Sequence, residues 1–293
     1  MSPPDGAVRR FLRRPLALLP AKLFLVIAAY VLVGRLIGRL RWTGISFPIA
    51  ATVLLCIVLC GAFALYTRLV ERRALTEFAA RGALAESLRG LLLGLLVFSA
   101  MIGVLAAIDV YRVDGVGDAS SLVGSFCNAL LAGVFEELVF RAVLFRILET
   151  WLGSYWALCI SSVLFGAAHL LNPNSDPLAA AKIALEAGLL LGAAYMFTRR
   201  LWFAIGIHVG WDFAEGGIFG TVESGTSVNG LLHSTLHGPA WLSGGGFGVE
   251  ASPIAVLIGL GAGLLLLTRA RMRHEVRAPS WVRPQPSGTA VTP

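Results

Sequence analysis

The stretch Gly133-Val-Phe-Glu136-Glu137-Leu-Val-Phe-Arg141 sets two adjacent carboxylates and an arginine inside a long apolar run. A charge near the centre of a bilayer costs roughly 2.5–3.5 kcal/mol even on the mild insertion scale, so three together point to a functional site. On a helix each residue turns by about 100°, which puts Glu137 and Arg141 on one face with the glutamate N-terminal, the better order for pairing. Glu136 is rotated away from them. The simplest division makes Glu137–Arg141 an internal ion pair and leaves Glu136 free for chemistry.

The surrounding composition names the solvent. The 293 residues are 57% hydrophobic and 14% charged, against about 25% charged for a soluble domain. Mean hydropathy is +0.78. The expected fold is all-α, a polytopic transmembrane bundle of about eight spans. The net charge of +7 gathers at the ends and in particular loops, a pattern of membrane orientation and not of nucleic-acid binding. The four cysteines, Cys56, Cys60, Cys127 and Cys159, sit in apolar runs and read as small buried residues.

Residues 1–15 form a basic start (Arg9, Arg10, Arg13, Arg14), and no small-residue cleavage site follows, so the first apolar run reads as a retained span. Residues 16–121 carry spans at about 16–34, 47–66 and 90–110, with an interfacial amphipathic helix expected over 68–89. Residues 122–219 carry four more, at about 122–148, 155–171, 178–197 and 201–219. A glycine-rich loop fills 220–250. The last helix lies within 251–270; its apolar part, about 253–267, is short against the ~20 residues a span needs. The tail 271–293 is basic, then proline-rich, and is expected to be disordered. Basic clusters precede span one, separate spans two and three and spans six and seven, and follow span eight. Eight helices with both termini cytoplasmic satisfy that alternation, while Arg35, Arg39 and Arg41 violate it. Trp42, Trp151, Trp156 and Trp202 lie near span ends, where interfacial anchoring explains them. Arginine far outnumbers lysine, which occurs as Lys22 and Lys182; that bias hints at a GC-rich bacterial genome, and the expected location is a bacterial cell membrane.

Two further polar pairs lie in apolar runs. His169 and Asn172 are three apart, and His208 and Asp212 four apart, so each pair shares a helix face. A lone intramembrane histidine is more often structural than catalytic. Three polar faces on three helices, each costly to bury alone, converge more readily on one site. Other residues take plainer readings: His233 and His237 have a surface or interfacial role in the loop, and Glu186 either lines the cavity or, the favoured reading, pairs with Lys182 four residues earlier.

In order, these clusters read E-E-x-x-x-R, F-x-x-x-H-x-x-N and H-x-x-x-[ND], through Glu136, Glu137, Arg141, Phe165, His169, Asn172, His208 and Asp212. They resemble the CPBP group of intramembrane metalloproteases, which includes the type II CAAX prenyl proteases and the bacterial Abi and bacteriocin-processing proteins. The resemblance covers about residues 122–219, and Glu71-Arg-Arg-Ala-Leu-Thr-Glu77-Phe resembles the lead-in to the family's third helix. It implies an intramembrane endopeptidase acting on a protein or peptide near the membrane lipid, a prenylated CAAX-type substrate among those allowed. By position, Glu136 and His169 would activate water, His208 and Asp212 would stabilise the oxyanion, and Glu137, Arg141, Phe165 and Asn172 would support them. Peptide hydrolysis needs a base, a proton donor for the leaving amine and donors facing the developing charge.

Two matters stay open at this level. Glu136, His169 and His208 would make a His₂Glu zinc set, yet no H-E-x-x-H pair is present, which favours a reaction requiring no cofactor. An ionised Asp212 would repel an oxyanion; either burial keeps it protonated as a donor, or, the favoured reading, it accepts a hydrogen bond from His208. The alternative to an enzyme is a catalytically silent, protease-like scaffold that binds a membrane partner. A transporter has less support, since no inverted repeat is visible.

Overall fold

In lipid an apolar run must satisfy its own backbone groups, and the long apolar runs of this chain are all helical. The computed structural model describes residues 15–37, 39 and 46–282. In order they form α1 (Pro15–Ile37), α2 (Ser46–Leu69), α3 (Ala83–Ala107), strand β1 (Tyr111–Val116) and α4 (Ser121–Glu137). A π-helical segment, Leu138–Phe145, leads into α5 (Arg146–Ala168), which ends in the 3-10 turn His169–Leu171. Then come α6 (Pro177–Ile183), the π turn Ala184–Gly188, α7 (Leu189–Thr198), α8 (Leu201–Asp212) and the π turn Phe213–Ile218. Strand β2 (Leu232–Leu236), the short α9 (Ala240–Ser243), a 3-10 turn (Val249–Ala251) and α10 (Pro253–Met272) complete them.

By length and composition, 5 helical stretches among the described residues can cross a membrane: 18–37, 47–69, 83–107, 177–198 and 253–272. The all-helical membrane bundle expected from composition is therefore the fold. Helix α8 is buried along nearly its whole length, as a helix apolar all round should be, and it carries His208 and Asp212 through the centre.

What holds α8 there is visible in its glycines. Gly90 and Gly94 of α3 face Phe203, Gly206 and Ile207, while Gly206 and Gly210 of α8 face the backbone of Ser87 and Leu91. Two small-xxx-small stripes are thus pressed against each other, the arrangement that lets helix backbones touch where no hydrophobic force separates protein from lipid. Gly133 of α4 likewise admits Val209 and the Cβ of His208. Two apolar clusters flank α8, one including Phe98, Met101, Phe165 and Trp211, the other Phe63, Leu138, Phe145 and Tyr195.

Charged side chains collect at one end of the bundle. Lys22 donates to Thr67 (3.1 Å) and Glu71 (2.8 Å), Arg73 to Glu71 (2.6 Å) and Glu77 (2.7 Å), and Arg146 lies 2.9 Å from Glu77. Although burial pushes the Glu71 carboxyl up, the Lys22 hydrogen bond and the surrounding cations hold it below its ordinary value. Arg200 bonds Glu86 and the carbonyl of Arg81, and Arg199 bonds Glu149 (2.8 Å). The interfacial helix expected over 68–89 is not formed: α2 runs to Leu69, residues 70–82 are irregular, and α3 starts at Ala83. The reason is the inward cations. On a helix Glu71 and Glu77, six residues apart, would diverge by about 120°; the irregular segment turns both toward Lys22, Arg73 and Arg146.

The C-terminal segment differs from expectation too. Helix α10 has 20 residues and is not short. Residues 273–282 are ordered against the kink of α5: Ser154 N–H donates to the Arg277 carbonyl (3.0 Å), Arg277 N–H to the Ser154 hydroxyl (2.8 Å), and Ser280 N–H to the Trp151 carbonyl (2.8 Å). Gly153 makes this fit possible with φ 76° and no Cβ where the backbone of 277–279 passes. The basic N-terminal stretch through Arg14, with Arg41, Trp42 and the tail from 283 onward, lies outside the described residues.

Replacing Gly94 or Gly210 by leucine should wedge α3 from α8 and lower stability by roughly 1–3 kcal/mol. Thermal unfolding in detergent checks this; an unchanged midpoint for both variants would refute the contact as the clamp on α8.

Candidate active site

Helices α4, α5 and α8 bring the three motifs to one cavity of about 270 Å³, lined by Glu136, Phe165, His169, Asn172, His208 and Asp212 among others. The Glu137–Arg141 pair forms behind it at 2.7 Å, both side chains buried. The Arg141 guanidinium also donates to the Gly188 carbonyl (3.2 Å), at the end of the π turn 184–188, and lies 4.5 Å over the Phe165 ring. π turns widen a helix by one residue and gather at functional sites. Here two others begin directly after Glu137 and Asp212.

The pair has a third member that spacing did not indicate. His208 Nδ1 donates to the same Glu137 oxygen at 3.1 Å, so Glu137 bridges Arg141 and His208. The Nε2 side of the ring faces Asp212 (3.5 Å) and Glu136 (3.8 Å). The expected hydrogen bond from His208 to Asp212 is therefore not made; Glu137 takes that role through the ring's other nitrogen. His169 donates Nδ1–H to the Phe165 carbonyl (2.8 Å), which leaves its Nε2 as an acceptor. It packs on the Phe165 ring at 4.8 Å. Glu136 is half-buried, and its Oε2 has no hydrogen-bond partner.

The expected Glu186–Lys182 pair is absent. Lys182 bonds the Ala251 carbonyl, and both Glu186 oxygens are buried without a hydrogen bond. The π turn that starts at Ala184 breaks the four-residue register between them. His233 on β2 and His237 just after it are exposed, outside the cavity.

Other lining residues were not anticipated. Asn128 lies two turns before Glu136 on α4, and Trp211 precedes Asp212; helical periodicity could have placed both. Glu223, Ser224, Thr226 and Glu250 come from the glycine-rich loop, where no periodicity exists to read. β1 and β2 pair antiparallel, Tyr111 opposite Leu236, and tie that loop across the bundle end. Glu250 accepts from Trp211 Nε1 (3.2 Å), from Ser224 N–H (3.2 Å) and from the Ser224 hydroxyl (2.6 Å), which fixes the loop as a cavity wall. Burial, with the Glu250 charge beside it and His208 opposing, pushes the Glu223 carboxyl up to about 7.

Residues 118–214 match the family model of the type II CAAX prenyl endopeptidases, Rce1-like. The match holds α4, α5 and α8, every motif residue from Glu136 to Asp212, and bears out the resemblance read in the sequence. It supports a membrane-embedded protease core. No curated protein and no solved structure matches the chain.

The resemblance to metalloproteases raises zinc. Among the described residues no group of three or more His, Cys, Asp or Glu is arranged to hold a metal ion. His208, a member of the would-be His₂Glu set, has Nδ1 committed to Glu137 and Nε2 beside Asp212. A carboxylate on one ring nitrogen is also how a metal-ligating histidine is oriented, so this bond does not bear on zinc; the reaction proposed here uses the side chains alone.

Glu137→Gln removes the charge that faces both Arg141 and His208. It should destabilise the protein by roughly 3–5 kcal/mol, while Glu136→Gln, at a site with no ion-pair partner closer than 3.8 Å, should unfold near the wild type. Denaturant unfolding in detergent compares them; equal loss for both would contradict the bridging role.

Proposed function

We propose that this protein is an intramembrane endopeptidase that hydrolyses a peptide bond of a membrane-associated substrate. The observation that carries this is the convergence of Glu136, His169 and His208 on one cavity, inside a segment matching a protease family. Glu136, with an oxygen free of hydrogen bonds, takes a proton from water and passes it to the leaving amine. His169, its Nδ1–H anchored on the Phe165 carbonyl, accepts from that water through Nε2 and orients it. His208, held by Glu137, presents Nε2–H to the oxyanion. Asp212 flanks that donor. The protein's own groups account for each proton, and no cofactor is required.

The charges also suggest a side of the membrane. The start of α1, the 70–82 segment, the start of α5, Arg199–Arg200 and the end of α10 all meet at the basic end of the bundle. Both described chain ends lie there, so the positive-inside rule makes that end cytoplasmic. The C-terminal end of α5, with His169 and Asn172, and the loop residues 223–226 lie at the other end. The cavity then opens away from the cytoplasm, and its substrate is a peptide presented from that face. A lipidated peptide, prenylated ones included, fits such a route.

Two outcomes follow. Glu136→Gln should lower cleavage of lipidated peptides by roughly 10²–10⁴-fold without loss of fold, and zinc chelators should leave wild-type cleavage unchanged. Mass spectrometry of peptide digests in nanodiscs reads both; full activity of Glu136→Gln refutes the base, and activity lost to chelator and restored by zinc refutes the metal-free reaction. In intact cells, Thr226→Cys should react with a membrane-impermeant maleimide from outside. Labelling that requires permeabilisation would reverse the orientation.

A further inference from the structure

Four carboxylates line the cavity, Glu136, Asp212, Glu223 and Glu250, and no lysine or arginine among the described residues joins them there. Arg141 is turned onto Glu137 and the Gly188 carbonyl, out of reach. The histidines His169 and His208 are the basic groups that remain among the lining residues. One side chain marks this surplus as built for a ligand. Asp212 is 8% exposed, lines the cavity, and accepts no hydrogen bond, its nearest donor being His208 Nε2 at 3.5 Å. Behind it, in the π turn after α8, Glu215 is fully buried with both oxygens unpartnered, and it is not among the residues that line the cavity. A buried carboxylate without a cation is costly, and several facing one cavity are costlier together.

We propose that the wall formed by Glu223, Glu250 and Asp212 is a subsite for a cationic side chain of the substrate, an arginine or a lysine near the scissile bond. The inference rests on the endopeptidase reading and gives its substrate a charge. Trp211 lines the same cavity and holds Glu250 through its indole N–H (3.2 Å). The planar fork of a guanidinium can serve two carboxylates at once, which favours arginine over lysine. A peptide presenting a carboxylate to this wall would meet like charge from Glu223, Glu250 and Asp212. The three hydrogen bonds on Glu250 keep the wall in place before the ligand arrives.

Proton linkage gives the subsite a sign. Around Glu223 stand Glu250, Glu136, Asp212 and Glu215 with His208 opposing, and its carboxyl, raised to about 7, binds a proton below that pH. A cation prefers the ionised form. Its binding therefore releases a proton at low pH and tightens as pH rises through about 7.

The test uses full-length Glu136→Gln protein in nanodiscs and three lipidated peptides identical except for a central Arg, Gln or Glu, with binding read by fluorescence anisotropy. The Arg peptide should bind about tenfold tighter than the Gln peptide, with the Glu peptide weakest. Adding Glu223→Gln and Glu250→Gln should bring the three affinities together, since an amide still accepts from Ser224 and Trp211 but carries no charge. Adding Glu223→Lys instead should favour the Glu peptide. Equal affinities in the Glu136→Gln protein, or an Arg preference that survives these changes, would overturn the proposal. So would tight binding of calcium or magnesium alone that abolishes the preference, which would make the wall a metal site. In wild-type protein, cleavage of all three peptides at one kcat/KM sinks the subsite and leaves the endopeptidase standing. No cleavage of any peptide sinks the endopeptidase, and the binding comparison still decides the subsite.

Discussion

Glu137 is a carboxylate removed from solvent, and the groups that neutralise it come from its own helix and from one 71 residues away. Arg141 makes the local half of this interaction, four residues on. His208 makes the distant half, and so orients the ring whose other nitrogen faces the cavity. A buried charge that loses a partner is expensive, whereas one fully paired holds its neighbours in a single geometry. The positions of α4 and α8, the direction of the His208 ring and the freedom of Glu136 all depend on this one carboxylate.

The helix packing serves that constraint. Glycine stripes on α3 and α8 allow backbone contact, and Gly133 admits α8 against α4 next to His208. Larger residues there would move His208 away from Glu137. The π turns matter in the same way: the one at 184–188 puts the Gly188 carbonyl under the Arg141 guanidinium, and the one after Asp212 turns Glu215 inward. Stability and site geometry are therefore carried by the same few contacts.

The loop beyond α8 converts an intramembrane polar cluster into an enclosed site. Pairing of β1 with β2 and the bonds on Glu250 hold it over the cavity, adding two carboxylates to those of the helices. The surplus of negative charge then belongs to the assembled cavity and to no single motif. Meanwhile cations gather at the opposite end of the bundle, in contact with Glu71, Glu77, Glu86 and Glu149. The bundle is electrically asymmetric from one end to the other.

Much of this was written locally. Apolar runs alone required helices, because lipid offers the backbone no other partner. Four-residue spacing placed Glu137 beside Arg141, and the motif order indicated which helices would meet. Local rules erred where another part of the chain supplied the partner. Lys182 was matched to Glu186 by spacing, but a π turn broke the register and Ala251 took the ammonium. The segment 70–82 carried an amphipathic pattern, but inward-facing Lys22 and Arg146 drew its carboxylates out of a helix. Periodicity describes which residues share a face of one element. Which face meets which, and so the bridge from Glu137 to His208 and the loop wall with Glu223 and Glu250, was decided by packing between residues far apart in sequence.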